Sequence, residues 1–309
     1  MQEQHATQHT KTIILAGATG DLGHRIATYL LQHKANVKAL IRKGSNGSSL
    51  ASLQKSGLQI VEVDYNNAAE LAAACAGGAC VVSALNGLED VIIGAQSQLL
   101  QAAIDAGVPR FIPSDYSIDY TKLTEGSNRN LDLRRRFHQH IDSQPIKATS
   151  ILNGMFTDLL TGQAPIVLSG IKRVLHWGSA DQLLDFTTID NTAEYTTLAA
   201  LDDTAPRYLC IAGDVQNAHG LQAVASKVFD KPFKLLRPGG LGALQTMIRI
   251  TRKLFPQQKE IFPPWQGMQY MHNMFTGLPK LTPLNNDRYP SIKWTSVQEV
   301  LAAAQANRN

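Results

Sequence analysis

Three glycines follow a short apolar run near the N-terminus at intervals of three residues. Gly17 permits a sharp exit from a strand, Gly20 has no side chain to obstruct a phosphate oxygen, and Gly23 allows the next helix to pack closely on the strand. The N–H groups and the dipole at the start of that helix attract an anion. A turn without a ligand is the alternative. The spacing predicts a binding site for a dinucleotide pyrophosphate made of seven consecutive residues: Gly17, Ala18, Thr19, Gly20, Asp21, Leu22 and Gly23.

The end of the second predicted strand indicates which dinucleotide would be bound. An NAD site usually has a carboxylate there, about 20 residues beyond the glycines, to hold the ribose hydroxyls. This chain has Arg42 and Lys43 instead, and a guanidinium group suits a 2′-phosphate. We therefore predict NADP(H) rather than NAD(H) as the cofactor, with a solvated basic loop as the alternative.

Two further strand ends provide candidate cofactor contacts. Asp64 follows the third predicted strand, where it could meet the adenine amino group or cap the next helix. The fourth predicted strand ends in Ser83, Ala84 and Leu85. Their small size at the first two positions is consistent with a close approach of the backbone to the middle of the cofactor.

Strands and helices alternate along the first half of the chain. Parallel neighbours need long crossover connections, so this alternation predicts an α/β fold with a Rossmann-type doubly wound parallel sheet. We predict a disordered tail at 1–10, an NADP-binding Rossmann domain at 11–156, and a smaller C-terminal substrate lobe at 157–309. Some segments after the boundary could return to the sheet, and residues 156–203 read as short strands mixed with loops. The predicted strands are 12–16, 35–42, 58–63, 79–84, 110–113 and 146–152, and the predicted helices run from 22 onward and over 68–76, 90–106, 130–142, 221–229 and 241–255.

The composition of the 309 residues is that of a globular protein, with 44% hydrophobic and 17% charged residues and a formal net charge of +4. The charge is modest and not clustered, so we expect no direct nucleic-acid binding. No apolar run is long enough to span a bilayer, and the polar N-terminus does not read as a signal peptide, so we expect no membrane association and a cytoplasmic location. The three cysteines are expected to be reduced and buried.

Three segments resemble the NmrA-like proteins, which include the isoflavone reductases and pinoresinol-lariciresinol reductases among the atypical short-chain dehydrogenases. The segments are TIILAGATGDLG at 12–23, PRFIPSDYS at 109–117 and SILNGMFTDLL at 150–160. The resemblance implies a Rossmann lobe, NADP(H) and a small variable substrate lobe. The plant reductases of this group act on phenylpropanoid-type aromatic substrates, whereas its regulatory members bind the dinucleotide without turning anything over.

The resemblance also implies roles for individual residues. Ser114 falls where the reductases have a serine after the fifth strand, and the loop that skirts the nicotinamide matches Asn153, Gly154, Met155 and Phe156. The reductases place a proton-transferring lysine eight residues before the acidic residue that Asp142 matches, and this position is Arg134 here. Arginine keeps the charge but cannot release a proton near neutral pH.

Helix periodicity places Arg134 about 60° from the centre of the buried face and leaves Arg135 and Arg136 in solvent. All three could equally form a basic surface stripe. Neither Tyr116 nor Tyr120 is followed four residues later by the lysine of the Tyr-x-x-x-Lys pair that many short-chain dehydrogenases use. Tyr116 and Lys122 are therefore the other candidate proton donors. Tyr116 could instead be a packing residue.

No metal site is expected, because His138 and His140 are two residues apart on a predicted helix and point to different faces. Aromatic and Met residues between 262 and 275 could line an apolar pocket or form the core of the lobe. Two functions follow. The first is an NADPH-dependent reductase acting on a small, aromatic or conjugated substrate, with Arg134 holding an oxyanion. The alternative is a non-catalytic, redox-sensing NADP(H)-binding regulator that is read by a partner protein.

Overall fold

A computed structural model describes residues 10–45 and 48–307. The predicted tail at 1–10 therefore lies outside the described residues, apart from Thr10. The strands are β1 (Thr12–Ala16), β2 (Asn36–Arg42), β3 (Gln59–Val63), β4 (Cys80–Ser83), β5 (Arg110–Ile112), β6 (Lys147–Ala148), β7 (Ser150–Leu152), β8 (Met155–Phe156), β9 (Val167–Leu168), β10 (Arg173–Leu175), β11 (Leu184–Thr187), β12 (Tyr208–Cys210), β13 (Asp214–Gln216) and β14 (Lys234–Leu236). The α-helices are α1 (Asp21–Gln32), α2 (Ala51–Lys55), α3 (Ala68–Cys75), α4 (Gln96–Asp105), α5 (Arg129–Asp142), α6 (Ile189–Leu201), α7 (Ala218–Val228), α8 (Leu241–Leu254), α9 (Pro264–Phe275) and α10 (Val297–Ala306).

The central sheet has six strands in the order β3-β2-β1-β4-β5-β6, and every neighbouring pair is parallel. The chain builds outward from β1 to β3, then crosses back and continues from β4 to β6 on the other side. The predicted Rossmann-type doubly wound sheet is thus confirmed. The order reverses between β1 and β4, and ligands of such sheets bind at the carboxyl ends of the strands near this reversal.

A two-stranded sheet of β7 and β12 follows directly after the central sheet and includes a strand from the second half of the chain. Only Thr149 separates β6 from β7, and β7 pairs in parallel with β12, with Ile151 opposite Leu209. The helix α6 packs on α1 and on the core that also contains Ile151 and Leu209. There the Asp190 carboxylate accepts hydrogen bonds from Tyr29 Oη at 2.7 Å and Arg25 Nη1 at 3.0 Å.

The helix α6 corrects the expectation that 156–203 contains only short strands and loops. Its sequence, IDNTAEYTTLAAL, is rich in threonine, a β-branched residue of modest helix propensity. Tertiary packing overrides that preference, because Tyr195 and Ala199 are buried in a core that α6 shares with α1. The buried hydroxyls of Thr192 and Thr196 donate locally to the carbonyls four residues earlier, at 2.8 Å and 2.6 Å. Thr188 caps the helix by accepting the N–H of Asn191.

Each of two apolar cores contains residues from both sides of the predicted domain boundary. The core under α1 and α6 joins Ile13 and Leu15 of β1 to Tyr195 and Leu209 from the second half of the chain. A second core, built mainly from residues after 152, takes in Ile118, Tyr120 and Leu131 from the first half. The assignment of 157–309 to a substrate lobe remains a prediction.

The aromatic and Met residues between 262 and 275 mostly belong to this second core. Met271, Met274 and Phe275 are buried in it, whereas Phe262 is 60% exposed. All three cysteines are buried and unpaired. Among the described residues, no helix combines the length and the apolar character that crossing a membrane requires.

Candidate active site

Two of the three loop glycines are required by contacts within the fold. Gly17 has φ +87°, and a Cβ there would lie 2.5 Å from the carbonyl oxygen of Ala84. A Cβ on Gly23 would lie 2.1 Å from the carbonyl oxygen of Gly17. A side chain at either position would push β1 or α1 away from its neighbour, so these glycines set the close approach of the β1–α1 loop to β4.

Gly20 is different, because nothing in the fold requires a glycine there. Its backbone is extended (φ −81°), and a Cβ would come no nearer than 3.5 Å to the carbonyl oxygen of Gly17. Gly20 is the N-cap of α1 and provides no side-chain cap. The space beside it and the N–H groups at the start of α1 suit a phosphate oxygen.

The remaining loop residues divide into buried and exposed groups. Ala18 is buried in the core under α1, and Leu22 packs partly against the same core. Thr19 and Asp21 are exposed beside Gly20, and the Asp21 carboxylate pairs with Arg25 at 2.8 Å. The exposed surface of the predicted phosphate site is therefore Thr19, Gly20 and Asp21.

The two basic residues at the end of β2 differ in their partners. Lys43 Nζ lies 2.7 Å from Glu70 Oε2, which holds it at the surface. The side chain of Arg42 is exposed and forms no hydrogen bond or ion pair with any other described residue. Its charge acts on the buried phenol of Tyr65, where burial raises the pKa to about 12 and Arg42 opposes the rise. Of the two, Arg42 is the cation that is free to bind a phosphate.

The helix after β3 is capped by Asn67, which accepts the N–H of Glu70 at 3.1 Å. The alternative role of Asp64 as that cap is therefore wrong. Asp64 Oδ1 instead accepts the N–H of Asn66 at 2.9 Å within the turn. Its carboxylate is exposed at the carboxyl edge of the sheet, and an adenine contact stays a prediction.

The ends of β4 and β5 are joined by side-chain hydrogen bonds. Ser114 is buried, and its Oγ donates to the carbonyl oxygen of Leu85 at 2.6 Å. Its N–H donates to Gln96 Oε1 at 2.9 Å. The Oγ of Ser83 is buried without a partner among the described residues, and Ala84 forms the wall against Gly17. Ser114 therefore positions the loop after β4.

The loop after β7 contains a buried amide without partners. Neither Oδ1 nor Nδ2 of Asn153 has a hydrogen-bond partner among the described residues, although the side chain is fully buried. Gly154 has φ +68°, and a Cβ there would lie 2.4 Å from the carbonyl oxygen of Asp185. Met155 and Phe156 form β8 and pair with Phe186 and Thr187. Buried amides are normally hydrogen-bonded, so this one fits a polar ligand at the edge of the sheet.

Tyr116 lies in the core under α1 and α6, so the packing alternative describes its position. Its hydroxyl is buried without a partner, and burial raises its pKa well above the ordinary value. As placed, it is closed to a substrate. Lys122 is exposed, and its Nζ donates to the carbonyl oxygen of Lys280 at 2.8 Å and pairs with Asp119 at 3.0 Å. Neither predicted donor is therefore free.

Arg134 faces inward and is only 8% exposed. Its Nη1 donates to the carbonyl oxygen of Asn130 at 3.2 Å, and its Nε has no partner among the described residues. Tyr270 of α9 lies near enough to be affected, since burial raises the pKa of its phenol and the charge of Arg134 opposes this. The guanidinium therefore carries a buried positive charge with donor capacity to spare.

The neighbouring arginines differ from the prediction in one case. Arg136 is exposed and pairs with Glu89 at 2.7 Å. Arg135 was expected in solvent but is half-buried, and its Nη2 donates to the carbonyl oxygens of Tyr120 and Leu123. The loop after β5 folds back over this face of α5, an effect that helix periodicity alone does not include.

Lys280 was missed by the sequence reasoning. Its Nζ forms an ion pair with the buried Asp185 carboxylate, and the carbonyl oxygen of Asp185 lies against Gly154. Lys280 also lines an open cavity of about 630 Å³ together with the apolar side chains of Leu183 and Leu278. Lys280 and Asp185 are 95 positions apart with no spacing motif, so no local signal could have paired them.

His138 belongs to a hydrogen-bonded cluster at the start of β12. Arg207 Nη2 can only donate, so its 3.2 Å contact makes His138 Nδ1 an acceptor. Nε2 therefore carries the proton and lies 2.9 Å from Asp142 Oδ2. Burial and the Arg207 charge lower the pKa of His138. In the part of the chain that the structure describes, no group of His, Cys, Asp or Glu residues is arranged to hold a metal.

The sheet order and the β1–α1 loop define this chain as a Rossmann-type α/β protein. The model of the NmrA-like family matches residues 9–246, and the chain belongs to that family. The predicted family resemblance is thereby confirmed.

Known relatives extend over nearly the whole chain. A curated relative, the "Probable pinoresinol-lariciresinol reductase 3" of Arabidopsis thaliana, is 26% identical over an alignment of 308 positions that covers 94% of this chain and 96% of the relative. Among solved structures, "AtPrR2 with NADP+ and (+)pinoresinol" is 20% identical with a TM-score of 0.80, covering 96% of this chain and 99% of the other. The binary complex of leucoanthocyanidin reductase and NADPH from Vitis vinifera is 18% identical with a TM-score of 0.79, with the same coverage. At these identities the solved structures share the fold.

Proposed function

We propose that the chain binds NADP(H) along the carboxyl edge of the sheet and acts as an NADPH-dependent reductase on a small aromatic or conjugated molecule. The observation that carries the dinucleotide site is the contrast within the phosphate loop. Gly17 and Gly23 are required by backbone contacts, whereas Gly20 is not, so its lack of a side chain is explained by a ligand. The NADP+ and NADPH complexes of the structural relatives support the same cofactor.

Four further features fit the parts of this cofactor. The start of α1 would bind the pyrophosphate, and the unpaired Arg42 would bind the 2′-phosphate. The exposed Asp64 would bind the adenine amino group. At the other end of the molecule, the unpartnered amide of Asn153 would hold the nicotinamide side. The ammonium group of Lys43 is already paired with Glu70. Lys43 would therefore contribute only to the general positive potential and would not bind the 2′-phosphate directly.

A bound NADPH would supply a hydride, which side chains cannot provide. Residues of the chain would have to stabilise the developing charge and provide a proton. Arg134 would stabilise negative charge that develops on a substrate oxygen, since its buried guanidinium is charged and only partly hydrogen-bonded. Arg134 cannot also release the proton, and Tyr116 is closed off in the core.

Lys280 is ion-paired as Lys122 is, but its position makes it our candidate for the proton donor. It lines the cavity of about 630 Å³, and its partner Asp185 contacts the Asn153–Phe156 loop through Gly154. The apolar Leu183 and Leu278 beside it suit an aromatic ring. This cavity is our candidate for the substrate cleft, and the pinoresinol bound in a structural relative is a suitable first test compound.

A non-catalytic regulator is the second candidate. One observation favours it, namely that an arginine occupies the position that matches the lysine of the reductases. A regulator would bind NADPH with the same residues and would not oxidise it in the presence of any substrate. A partner protein would then read a change in the C-terminal lobe.

The cofactor assignment is tested by replacing Arg42 with Glu. The change removes the only unpaired cation that we assign to the 2′-phosphate, so NADPH affinity should fall at least about tenfold, from the loss of a charge-assisted contact. NADH has no 2′-phosphate, so its affinity should hardly change. Lys55→Glu is the matched control, because it makes the same change in net charge at an exposed position of α2.

Isothermal titration calorimetry of both variants with both dinucleotides provides the measurement. Equal losses for NADPH and NADH would remove Arg42 from the 2′-phosphate site. Catalysis is tested separately, by following NADPH absorbance with pinoresinol and with simpler aromatic ketones and ethers. Binding without oxidation of NADPH across the panel would favour the regulator.

A further inference from the structure

A second cavity lies between α8, α9 and the loop that precedes α5. Its volume is about 270 Å³. None of its lining residues belongs to the six-stranded sheet or to the phosphate loop. Its polar lining residues are Ser127, Gln245, Arg249, Arg252, Gln269 and His272.

The charges around this cavity are unbalanced. Arg249 and Arg252 have no ion pair or side-chain hydrogen bond with any described residue, and the lining residues include no carboxylate. Two carboxylates lie at the border of the cavity and do not line it: Asp132, whose Oδ2 accepts the N–H of Gly126 at 3.0 Å, and Glu125, which directly precedes Gly126. The charge of Asp132 is also partly offset by Arg135, which lowers the pKa that burial raises.

The indole of Trp265 makes cation–π contacts with two neighbouring guanidinium groups. The Cζ of Arg252 lies 5.1 Å from the ring centroid, and the Cζ of Arg129 lies 4.8 Å from it. Arg129 is fixed by the carbonyl oxygens of Gln258, Glu260 and Ile261. Burial and the charge of Arg252 both lower its pKa. Like charges held this close repel each other, and an anion beside them would relieve that repulsion.

Neutral hydrogen-bonding groups complete the lining. The Oγ of Ser127 is inaccessible to solvent and has no partner among the described residues. Gln269 accepts the N–H of Arg129 through Oε1 at 3.3 Å, which leaves its amide N–H groups available as donors. Gln245 is exposed on the same side of α8 as Arg249. The lining is therefore rich in donors.

We propose that this cavity binds a small organic anion through a carboxylate or phosphate group. The forked guanidinium groups of Arg249 and Arg252 would take the anionic oxygens in pairs. The Gln269 amide would add a donor, and the Ser127 hydroxyl would reach the anion only after its side chain rotates toward the cavity. The apolar side chain of Ile248, which lines the cavity, would contact a short carbon skeleton of the anion. This site is separate from the dinucleotide site and does not depend on it.

Isothermal titration calorimetry tests the site with inorganic phosphate and with succinate as probes. The decisive variant is Arg249→Gln, because Arg249 is exposed on α8 and its replacement leaves the Trp265 stack intact. Lys253→Gln is the matched control, with the same charge change on the same helix at a position that does not line the cavity. We expect Arg249→Gln to weaken binding of at least one probe about tenfold or more, and Lys253→Gln to leave it within about twofold.

The titration is repeated with NADP+ present, because phosphate could also bind at the phosphate loop. Heat that depends on Arg249 and persists with NADP+ would support the proposal. Three results would overturn it: no binding of either probe up to about 50 mM, equal weakening in both variants, or binding that Arg249→Gln leaves unchanged. Failure of NADP+ itself to bind would count against the proposed function and would leave this test intact.

Discussion

Alanine substitutions at Gly20 and Gly23 should separate what the ligand requires from what the fold requires. In Gly20→Ala, the new Cβ lies 3.5 Å from its nearest neighbour, which is an ordinary contact, and φ −81° with ψ 163° suits any residue. Alanine is a poorer N-cap than glycine by about 1 kcal/mol. Alanine also reduces the conformational entropy of the unfolded chain, which stabilises the folded state by about 0.4–1 kcal/mol. The free energy of unfolding should therefore change by less than about 1 kcal/mol.

Gly23→Ala should instead destabilise the fold. Its Cβ would lie 2.1 Å from the carbonyl oxygen and 2.7 Å from the carbonyl carbon of Gly17. Because both neighbours are backbone atoms, α1 must move away from β1, and overpacking of this kind costs up to about 3 kcal/mol. The better helix propensity of alanine recovers about 1 kcal/mol. We expect a net loss of about 2 kcal/mol.

The ligand should reverse this ranking. A methyl group on Gly20 occupies the space assigned to a phosphate oxygen, so NADPH affinity should fall at least about tenfold, or about 1.4 kcal/mol. Urea unfolding followed by circular dichroism measures stability, and calorimetric titration with NADPH measures binding. If Gly20→Ala bound NADPH with unchanged affinity, the phosphates would not approach Gly20. If Gly23→Ala kept full stability, our inference that the close packing of α1 on β1 requires a glycine at position 23 would be wrong.

The other two predictions concern proton transfer and pH. Lys280→Arg keeps the positive charge beside Asp185 but replaces the ammonium group with a guanidinium that cannot release a proton near neutral pH, so turnover should fall about 10²–10⁴-fold with NADPH affinity unchanged; unchanged turnover would exclude Lys280 as the donor. The lowered pKa of His138 means that the unfolded chain binds its proton more readily, so this residue lowers stability as pH falls below about 6.5. His138→Gln should therefore reduce the drop in melting temperature between pH 7.5 and pH 5.5, whereas His140→Gln on the exposed face should not; equal effects would refute the assignment.

The sequence predicted the strands and the loop glycines well because their signals are local. Each central strand is an apolar run bounded by turn residues, and the structure places β1 at the predicted residues Thr12–Ala16. The helix α6 was missed because its threonines favour strands locally, whereas the helix is held by tertiary packing, with Tyr195 and Ala199 in the same core as Ile26 of α1. Propensity reasoning does not include that tertiary term.

The candidate site could be predicted only in part, for a related reason. Glycine spacing located the phosphate loop, and periodicity placed Arg134 on the buried side of α5. Tyr116 was a candidate because it follows β5, yet its ring enters the core under α6, a helix that the sequence had not shown. Lys280 meets Asp185 across 95 positions, and such a contact has no period or motif.

An arginine at position 134 does not by itself decide between a reductase and a regulator. Reduction of a carbonyl or an ether needs a positive charge near the oxygen and a proton for it, and one lysine can serve both needs. We assign the two roles to different residues in this chain, the charge to Arg134 and the proton to Lys280. Removing Lys280 would then change the pH dependence of turnover, whereas removing Arg134 would lower turnover equally at every pH. A regulator would show neither effect.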